Sequence, residues 1–218
     1  MTVYFISGLG ADKRVFDKLS LPAQWKVVHL EWIAAFPHEQ LIAYVNRFSQ
    51  KIDQSEPFCL VGLSFGGIVA IEIAKILQPQ RTIIISSIET KDELPLLFKT
   101  LRITGIHKLV PATFLNKIYP FTDWYFSTKT KDERLLVRQI IRDTSPVFVK
   151  WALNEIMNWD NTVRPKQVYH IHGTKDNIFP YYKVHADYLI QGGGHFMIYS
   201  KAELISALIS QQVNSSAE

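Results

Sequence analysis

The stretch FCLVGLSFGG, residues 58–67, decides the fold that this chain is expected to adopt. Its first four residues, 58–61, are apolar and predict a short buried strand. From Phe65 onward the sequence is apolar on nearly every side of a helix, and Pro79 ends that pattern. A buried strand that turns directly into a buried helix is typical of a parallel sheet covered by helices on both faces.

Ser64 lies at the turn between this strand and helix, with Gly62 two residues before it and Gly66 two residues after it. A serine on so sharp a turn takes a strained backbone conformation, and side chains at the two glycine positions would collide with the neighbouring element. The turn lifts the hydroxyl above the sheet and places it at a helix N-terminus, where free N–H groups favour a developing negative charge. The pattern therefore predicts a nucleophilic serine.

Two later segments offer an acid and a base for this serine. Residues 167–172 predict a strand, and Asp176 follows in the loop at its C-terminal end, where a carboxylate can orient an imidazole. Residues 188–190 predict another short strand, and three glycines then precede His195. A loop of glycines is free to carry the histidine ring over Ser64.

The first predicted strand covers residues 3–6 and ends in the loop Ser7-Gly8-Leu9-Gly10. Because parallel strands end at the same edge of a sheet, we expect this loop to lie beside the turn at Ser64. The backbone N–H of Leu9 can then face the N–H of Phe65 across a negatively charged substrate oxygen. These two amides are the candidate oxyanion hole.

Together these motifs resemble the α/β-hydrolase superfamily, in particular its small bacterial esterase-like members. The resemblance rests on Gly-Leu-Ser-Phe-Gly-Gly, the strand followed by Gly-Thr-Lys-Asp, the late Gly-His and the order Ser64, Asp176, His195. It covers residues 2–88 and 165–213. It implies an acyl-enzyme mechanism in which Ser64 attacks a carbonyl, His195 acts as the base and Asp176 orients His195.

Two features depart from the pattern of the family. The first loop reads Ser7-Gly8 where many relatives have His-Gly, so a different contact must support this loop. The chain also begins directly on the strand that leads to this loop, so the fold is expected to be shortened at the N-terminus. Neither departure removes a catalytic group.

The rest of the chain alternates strands and helices, which predicts an α/β fold with a doubly wound, mostly parallel sheet. The further predicted elements are a helix capped by Asp12 and carrying Leu19, a strand over residues 25–30, a helix over 37–52, a strand over 81–86 and a C-terminal helix over about 200–213.

Eighty residues separate the 81–86 strand from the 167–172 strand, too many for a simple connection. The segment predicts helices over about 94–107 and 131–143, and a third helix that begins after Ser145 with Pro146 at its first position. In the resembled family such an insertion is a lid that shapes the substrate pocket. We therefore divide the chain into a core, residues 1–88 and 161–218, and a lid, residues 89–160.

Aromatic side chains near the site are candidates for lining the substrate pocket. The candidates are Trp124, Trp151 and Phe196. The alternative for each is a packing role that fastens the helices to the core, and for any single residue packing is the better interpretation.

Composition limits the remaining classes of function. Of the 218 residues, 47% are hydrophobic, and no stretch approaches the ~20 apolar residues of a membrane span. The net charge of +4 forms no basic run, so no nucleic-acid partner is expected. The first residues lack a signal peptide and Cys59 is the single cysteine, so we expect a cytoplasmic protein without an internal disulfide. The oligomeric state stays open.

Several residues are weaker alternatives. His170 and His172 share one strand face and could form a metal pair, but no third ligand has a recognisable spacing, so neither a metal nor a cofactor is expected. His185 lacks the glycine loop of a mobile base. Asp160 and Asp187 are rival acids, but neither follows the end of a strand as Asp176 does.

The leading hypothesis is a serine hydrolase that cleaves small carboxylic esters or thioesters. A carbon–carbon bond hydrolase or lyase could use the same three residues. A small-molecule-binding protein that keeps the fold without turnover is the alternative from a different class, because one fold serves many functions.

Overall fold

A computed structural model describes residues 1–105 and 119–215, and within them six strands form one parallel sheet. The strands are β1 (Thr2–Ile6), β2 (Lys26–Leu30), β3 (Phe58–Leu63), β4 (Arg81–Ile85), β5 (Val168–Gly173) and β6 (Tyr188–Ile190). They lie in the order β2-β1-β3-β4-β5-β6, and every neighbouring pair is parallel. The predicted doubly wound α/β sheet is confirmed.

Helices precede or follow the inner strands β3, β4 and β5. The helices of the described residues are α1 (Leu41–Ser49), α2 (Phe65–Leu77), α3 (Leu96–Thr104), α4 (Tyr119–Tyr125), α5 (Lys131–Asp143), α6 (Pro146–Asn158), α7 (Met197–Ser200) and α8 (Ala202–Asn214). Over this part of the chain, no helix combines the length and the apolar character that crossing a membrane requires.

The sheet separates two hydrophobic clusters, one on each face. In β1, Tyr4 and Ile6 belong to the first cluster and Val3 and Phe5 to the second, as the two-residue period of a strand requires. Helices α1, α2 and α6 cover the first face, and α5, α7 and α8 cover the second. Because both faces are covered, β3 is buried along its whole length and reads as one apolar run.

Some predicted elements differ from the observed ones for local reasons. The helix expected over 37–52 begins only at Leu41, because His38 has a φ of 59°, which an α-helix cannot contain. Asp12 accepts a hydrogen bond from the Arg14 amide as a cap, but the helix after it is a single 3₁₀ turn. The C-terminal helix predicted over about 200–213 matches α8, and Lys201, with a φ of −126° and a ψ of 31°, separates it from the short helix α7, which was not predicted.

The segment between β4 and β5 is tied together where it leaves and rejoins the sheet. The side-chain amide of Asn161 donates to the Glu89 carbonyl at 2.6 Å, and the Lys91 amide donates to the Asn161 carbonyl at 2.8 Å. Arg164 Nε lies 2.9 Å from Glu89 Oε2. We call these four residues the clasp.

The helices of this segment are not all separate from the core. Val137 and Ile140 of α5 belong to the second cluster, and Phe148 and Ala152 of α6 belong to the first. The helix predicted over 131–143 and the helix start at Ser145 and Pro146 match α5 and α6. The helix expected over 94–107 is observed as α3, Leu96–Thr104, and residues 106–107 of that prediction lie outside the described residues. The division into a core and a lid stays a prediction.

Packing at Gly66 predicts a loss of stability for Gly66→Ala. A Cβ there would collide with the carbonyl oxygens of Ile6 and Ser7, which belong to the backbone and cannot turn away. We expect the free energy of unfolding to fall by about 2 kcal/mol or more, measured by urea denaturation.

Gly8→Ala is the matched control for this substitution. Its Cβ would lie 3.5 Å from Ser64 Cβ, an ordinary contact distance, so stability should change little. Equal stability of the two variants would contradict the tight packing of the turn.

Candidate active site

Ser64 stands at the sharp turn between β3 and α2 with a φ of 52° and a ψ of −118°. Its amide donates to the Ile85 carbonyl at 2.9 Å, and the Ser87 hydroxyl donates to the Ser64 carbonyl at 2.7 Å. A Cβ at Gly62 would collide with the Gly66 carbonyl, so the two glycines are needed where the sequence predicts. The strained serine is therefore fixed by its neighbours on both sides.

The structure brings the predicted serine, histidine and aspartate together. The Ser64 hydroxyl and His195 Nε2 are 2.9 Å apart, and His195 Nδ1 and Asp176 Oδ2 are 2.8 Å apart. A carboxylate only accepts, so His195 donates from Nδ1 and its Nε2 accepts the proton of the hydroxyl. His195 and Asp176 are 4% and 5% exposed, so these bonds lie away from water.

The carboxylate of Asp176 is held at both oxygens. Its Oδ1 accepts hydrogen bonds from the amides of Ile178 at 2.8 Å and Phe179 at 2.9 Å. Burial by itself raises the pKa of Asp176, but the charge and the hydrogen bond of His195 and the Phe179 amide outweigh burial and lower it. Asp176 is therefore ionised at neutral pH and suited to stabilise a positive charge on His195.

The alternative acids Asp160 and Asp187 and the alternative base His185 have other surroundings. Asp187 Oδ2 lies 2.5 Å from Arg164 and accepts a hydrogen bond from the His170 amide at 2.8 Å. The His185 amide donates to Glu93 at 2.9 Å, and Asp160 is exposed to solvent.

The loop after β1 is held by side-chain contacts that the sequence analysis did not identify. Trp32 Nε1 donates to the Gly8 carbonyl at 3.1 Å, and the Ala11 amide donates to the same oxygen at 3.0 Å. The Ser7 hydroxyl donates to the Ala11 carbonyl at 2.6 Å, and Thr144 donates to the Gly10 carbonyl. These bonds hold the loop in place without a histidine at position 7.

The bond from Trp32 bears directly on the candidate oxyanion hole. The Gly8 carbonyl and the Leu9 N–H belong to one planar peptide unit and point in opposite directions, so fixing the carbonyl fixes the N–H. The Trp32 ring also stacks on Phe65, with ring centres 5.4 Å apart. Among the described residues, neither the Leu9 nor the Phe65 amide donates a hydrogen bond, so both remain free for a ligand.

The sequence did contain a signal for Trp32. It follows β2, and the carboxyl ends of parallel strands share one edge of the sheet, the edge where ligands bind in open α/β sheets.

The three candidate pocket residues lie in different surroundings. Trp151 lines a cleft of about 1720 Å³ and donates from Nε1 to the Glu39 carbonyl at 2.7 Å. Trp124 is 59% exposed and lines a second cleft of about 610 Å³. Phe196 lines neither cleft, because it is 5% exposed and stacks on Tyr199 within the second core cluster. Neither cleft is lined by Ser64.

The sequence matches one known protein family, and the structure is similar to several solved structures. A sequence model described as the Alpha/beta hydrolase family matches residues 3–208. The structure is similar to a thermophilic esterase from Thermogutta terrifontis (TM-score 0.73, 15% identity, 99% of this chain and 90% of that chain). It is also similar to MenH from S. aureus (TM-score 0.72, 15% identity, 100% and 95%). A third is bromoperoxidase from Bacillus anthracis (TM-score 0.69, 17% identity, 98% and 91%). No curated protein sequence matches the chain.

His170 and His172 contact each other rather than a third ligand. Their Nε2 and Nδ1 atoms are 3.1 Å apart, and the other nitrogen of the His172 ring, Nε2, lies 2.7 Å from the Phe179 carbonyl. Both side chains are fully buried, and burial lowers the pKa of each to about 4. Over residues 1–105 and 119–215, no group of three histidine, cysteine or acidic side chains is arranged to hold a metal.

These two neutral rings predict a loss of stability in acid. Between pH 6.5 and about 4, the histidines bind protons in the unfolded chain but not in the folded one, so stability falls as pH falls. Glu89, whose pKa is raised to about 7 by burial, contributes with the opposite sign and offsets part of the fall. We expect the free energy of unfolding in urea to drop by about 2 kcal/mol from pH 6.5 to 4.5.

His172→Gln should reduce this drop, whereas His29→Gln, at a half-buried histidine of β2, should keep most of it. A free energy of unfolding that is constant across this pH range would show that the two rings are not neutral.

Proposed function

The chain belongs to the α/β-hydrolase family, and on that premise we propose that it is a serine hydrolase of small carboxylic esters or thioesters. The observation that carries the proposal is the unbroken line of hydrogen bonds from the Ser64 hydroxyl through His195 to Asp176. The proposal includes a cytoplasmic location and a reaction that needs no metal or cofactor.

In the proposed mechanism, Ser64 Oγ attacks the substrate carbonyl while its proton passes to His195 Nε2. Asp176 stabilises the imidazolium that forms, and the amides of Leu9 and Phe65 donate to the developing oxyanion. The imidazolium then protonates the leaving alcohol or thiol. Water, activated by the same histidine, releases the acid from the acyl-enzyme.

The proposal also assigns residues 89–160 to a lid over the nucleophile. In support, the Phe126 ring lies 5.8 Å from the His195 ring, and the Phe126 carbonyl accepts a hydrogen bond from the Phe196 amide at 3.1 Å. The Ser127 hydroxyl donates to the Lys175 carbonyl at 3.1 Å. The segment therefore contacts both loops that carry the acid and the base.

The first prediction of this mechanism concerns Ser64→Ala. We expect hydrolysis of p-nitrophenyl esters to fall by about 10³-fold or more, and labelling by a fluorophosphonate to stop. Ser49→Ala, at a buried serine of α1 whose hydroxyl donates to the Asn46 carbonyl, is the matched control and should keep both.

Three outcomes separate the alternatives. Ester hydrolysis that survives in purified Ser64→Ala contradicts the assigned nucleophile. A wild-type protein that is not labelled at all indicates the binding protein without turnover. Labelling without hydrolysis of any ester or thioester across chain lengths favours carbon–carbon bond cleavage.

A second prediction concerns Trp32→Phe, which keeps an aromatic ring against Phe65 but removes the donor to the Gly8 carbonyl. Direct loss of an oxyanion donor costs roughly 10²–10³ in kcat, so loosening the peptide that carries one should lower kcat by about tenfold. KM should change little, because the oxyanion forms only in the transition state.

Trp159→Phe is the control for the loss of an indole donor. Trp159 Nε1 donates to Glu72 at 2.7 Å in the first core cluster, so its loss should lower stability without lowering kcat. A raised KM with unchanged kcat in Trp32→Phe would assign Trp32 to substrate binding instead.

A further inference from the structure

A row of buried polar side chains continues from Asp176 on the side away from Ser64. His172 Nε2 lies 3.7 Å from Asp176 Oδ2, and His172 Nδ1 lies 3.1 Å from His170 Nε2. His170 Nδ1 in turn lies 3.5 Å from Glu89 Oε1. Both histidines are 0% exposed and Glu89 is 1% exposed. The proposed reaction makes no use of these three side chains.

The hydrogen-bond directions in this row follow from the contact between His172 and the Phe179 carbonyl. The Phe179 carbonyl can only accept, so His172 donates to it from Nε2 and its Nδ1 must accept. His170 therefore donates from Nε2, and the Nδ1 of its neutral ring carries a lone pair toward Glu89. Two neutral rings have two protons for three contacts, so the row needs one proton more.

Glu89 is the group placed to provide that proton. Among the described residues, Glu89 Oε1 and His170 Nδ1 are both buried without a hydrogen-bond partner of good geometry. A carboxylic acid proton between them would satisfy both atoms. Burial raises the pKa of Glu89 to about 7, although Arg164 opposes the rise, and burial lowers the pKa of His170 to about 4.

Other charged groups surround this pair. Asp187 raises the pKa of Glu89, and His185 lowers it. Glu93, whose Oε2 accepts the Glu89 amide at 2.5 Å, and Asp187 favour a charged His170, as does the backbone of His185, but burial outweighs them. The proton therefore stays on the carboxyl group, next to a neutral ring.

We propose that Glu89, His170 and His172 are positioning residues for Asp176, and that the proton between Glu89 and His170 sets the direction of the whole row. This inference rests on the proposed function. His172 fastens the Phe179 carbonyl, and the Phe179 amide holds Asp176 Oδ1. The His172 N–H also directs its positive end near Asp176 Oδ2, the oxygen that accepts from His195.

Ionisation of Glu89 reverses the row. One proton leaves the carboxyl group for solvent, and the carboxylate then draws the hydrogen of His170 to Nδ1 by tautomer exchange. His170 Nε2 becomes an acceptor, so His172 must donate from Nδ1. His172 Nε2 is left with a lone pair facing the Phe179 carbonyl and Asp176, which loosens the loop that holds the carboxylate.

Glu89→Gln tests this, because an amide donates to His170 Nδ1 at every pH. We expect kcat/KM of the wild type to fall by about fivefold or more above pH 7, within the usual range of coupling between sites. The Gln variant should keep its pH 7 value up to pH 9. Glu72→Gln, at another buried glutamate outside the row, should follow the wild type. Identical alkaline profiles of Glu89→Gln and wild type would overturn the proposal.

A second measurement needs neither turnover nor a variant. In ¹⁵N-histidine NMR spectra of the wild type, both His170 and His172 should be Nε2–H tautomers at pH 6 and change to Nδ1–H as pH rises past about 7. Nδ1–H rings at pH 6, or rings that never change, overturn the row even if ester hydrolysis is normal. Tautomers that change as expected in a protein whose Ser64 is unreactive leave the row standing and contradict the proposed function.

Discussion

The position of the Ser64 hydroxyl depends on a backbone conformation that the chain cannot hold without help. A φ of 52° and a ψ of −118° cost a residue with a side chain about 1–3 kcal/mol. The ends of β1 and β4 provide that help. The carbonyls of Ile6 and Ser7 lie directly against Gly66, and the Ile85 carbonyl accepts a hydrogen bond from the Ser64 amide. The geometry of the site therefore depends on the register of β1 and β4, since a shift of either strand would remove a contact that holds the Ser64 turn.

Burial determines the remaining geometry of this edge. An unpaired buried polar atom costs about 1–3 kcal/mol, so each donor and acceptor around Asp176 is directed by its neighbour rather than by solvent. Among the described residues, the amides of Leu9 and Phe65 donate to no other group, and two unused donors suit the proposed binding of an oxyanion. Paired polar groups thus surround the position that the proposed oxyanion would occupy.

Local patterns predicted what local geometry determines. The turn at Ser64, the loop positions of Asp176 and His195 and the helices α5 and α6 all follow from signals within a few residues. Trp32 had only its position after β2 as a signal and Glu89 had none, because their partners Gly8 and His170 are more than twenty residues away in sequence. The buried histidine pair was visible as an alternation on one strand, but its partner acid was not. The sequence could not place the Phe196 ring, because a ring beside a catalytic residue can point to either face of the sheet.

The clasp allows the length of the segment between β4 and β5 to change without a change in the strands. Since Glu89 and Asn161 hold the two ends of the segment together, the segment leaves and rejoins the sheet at neighbouring points, while α5 and α6 pack on the core clusters. The entropy of closing a loop grows only slowly with its length. Segments of other lengths could therefore be exchanged there while the strands keep their register. Proteins of this architecture can therefore diversify in the segment between β4 and β5 while the sheet that holds Ser64 stays the same.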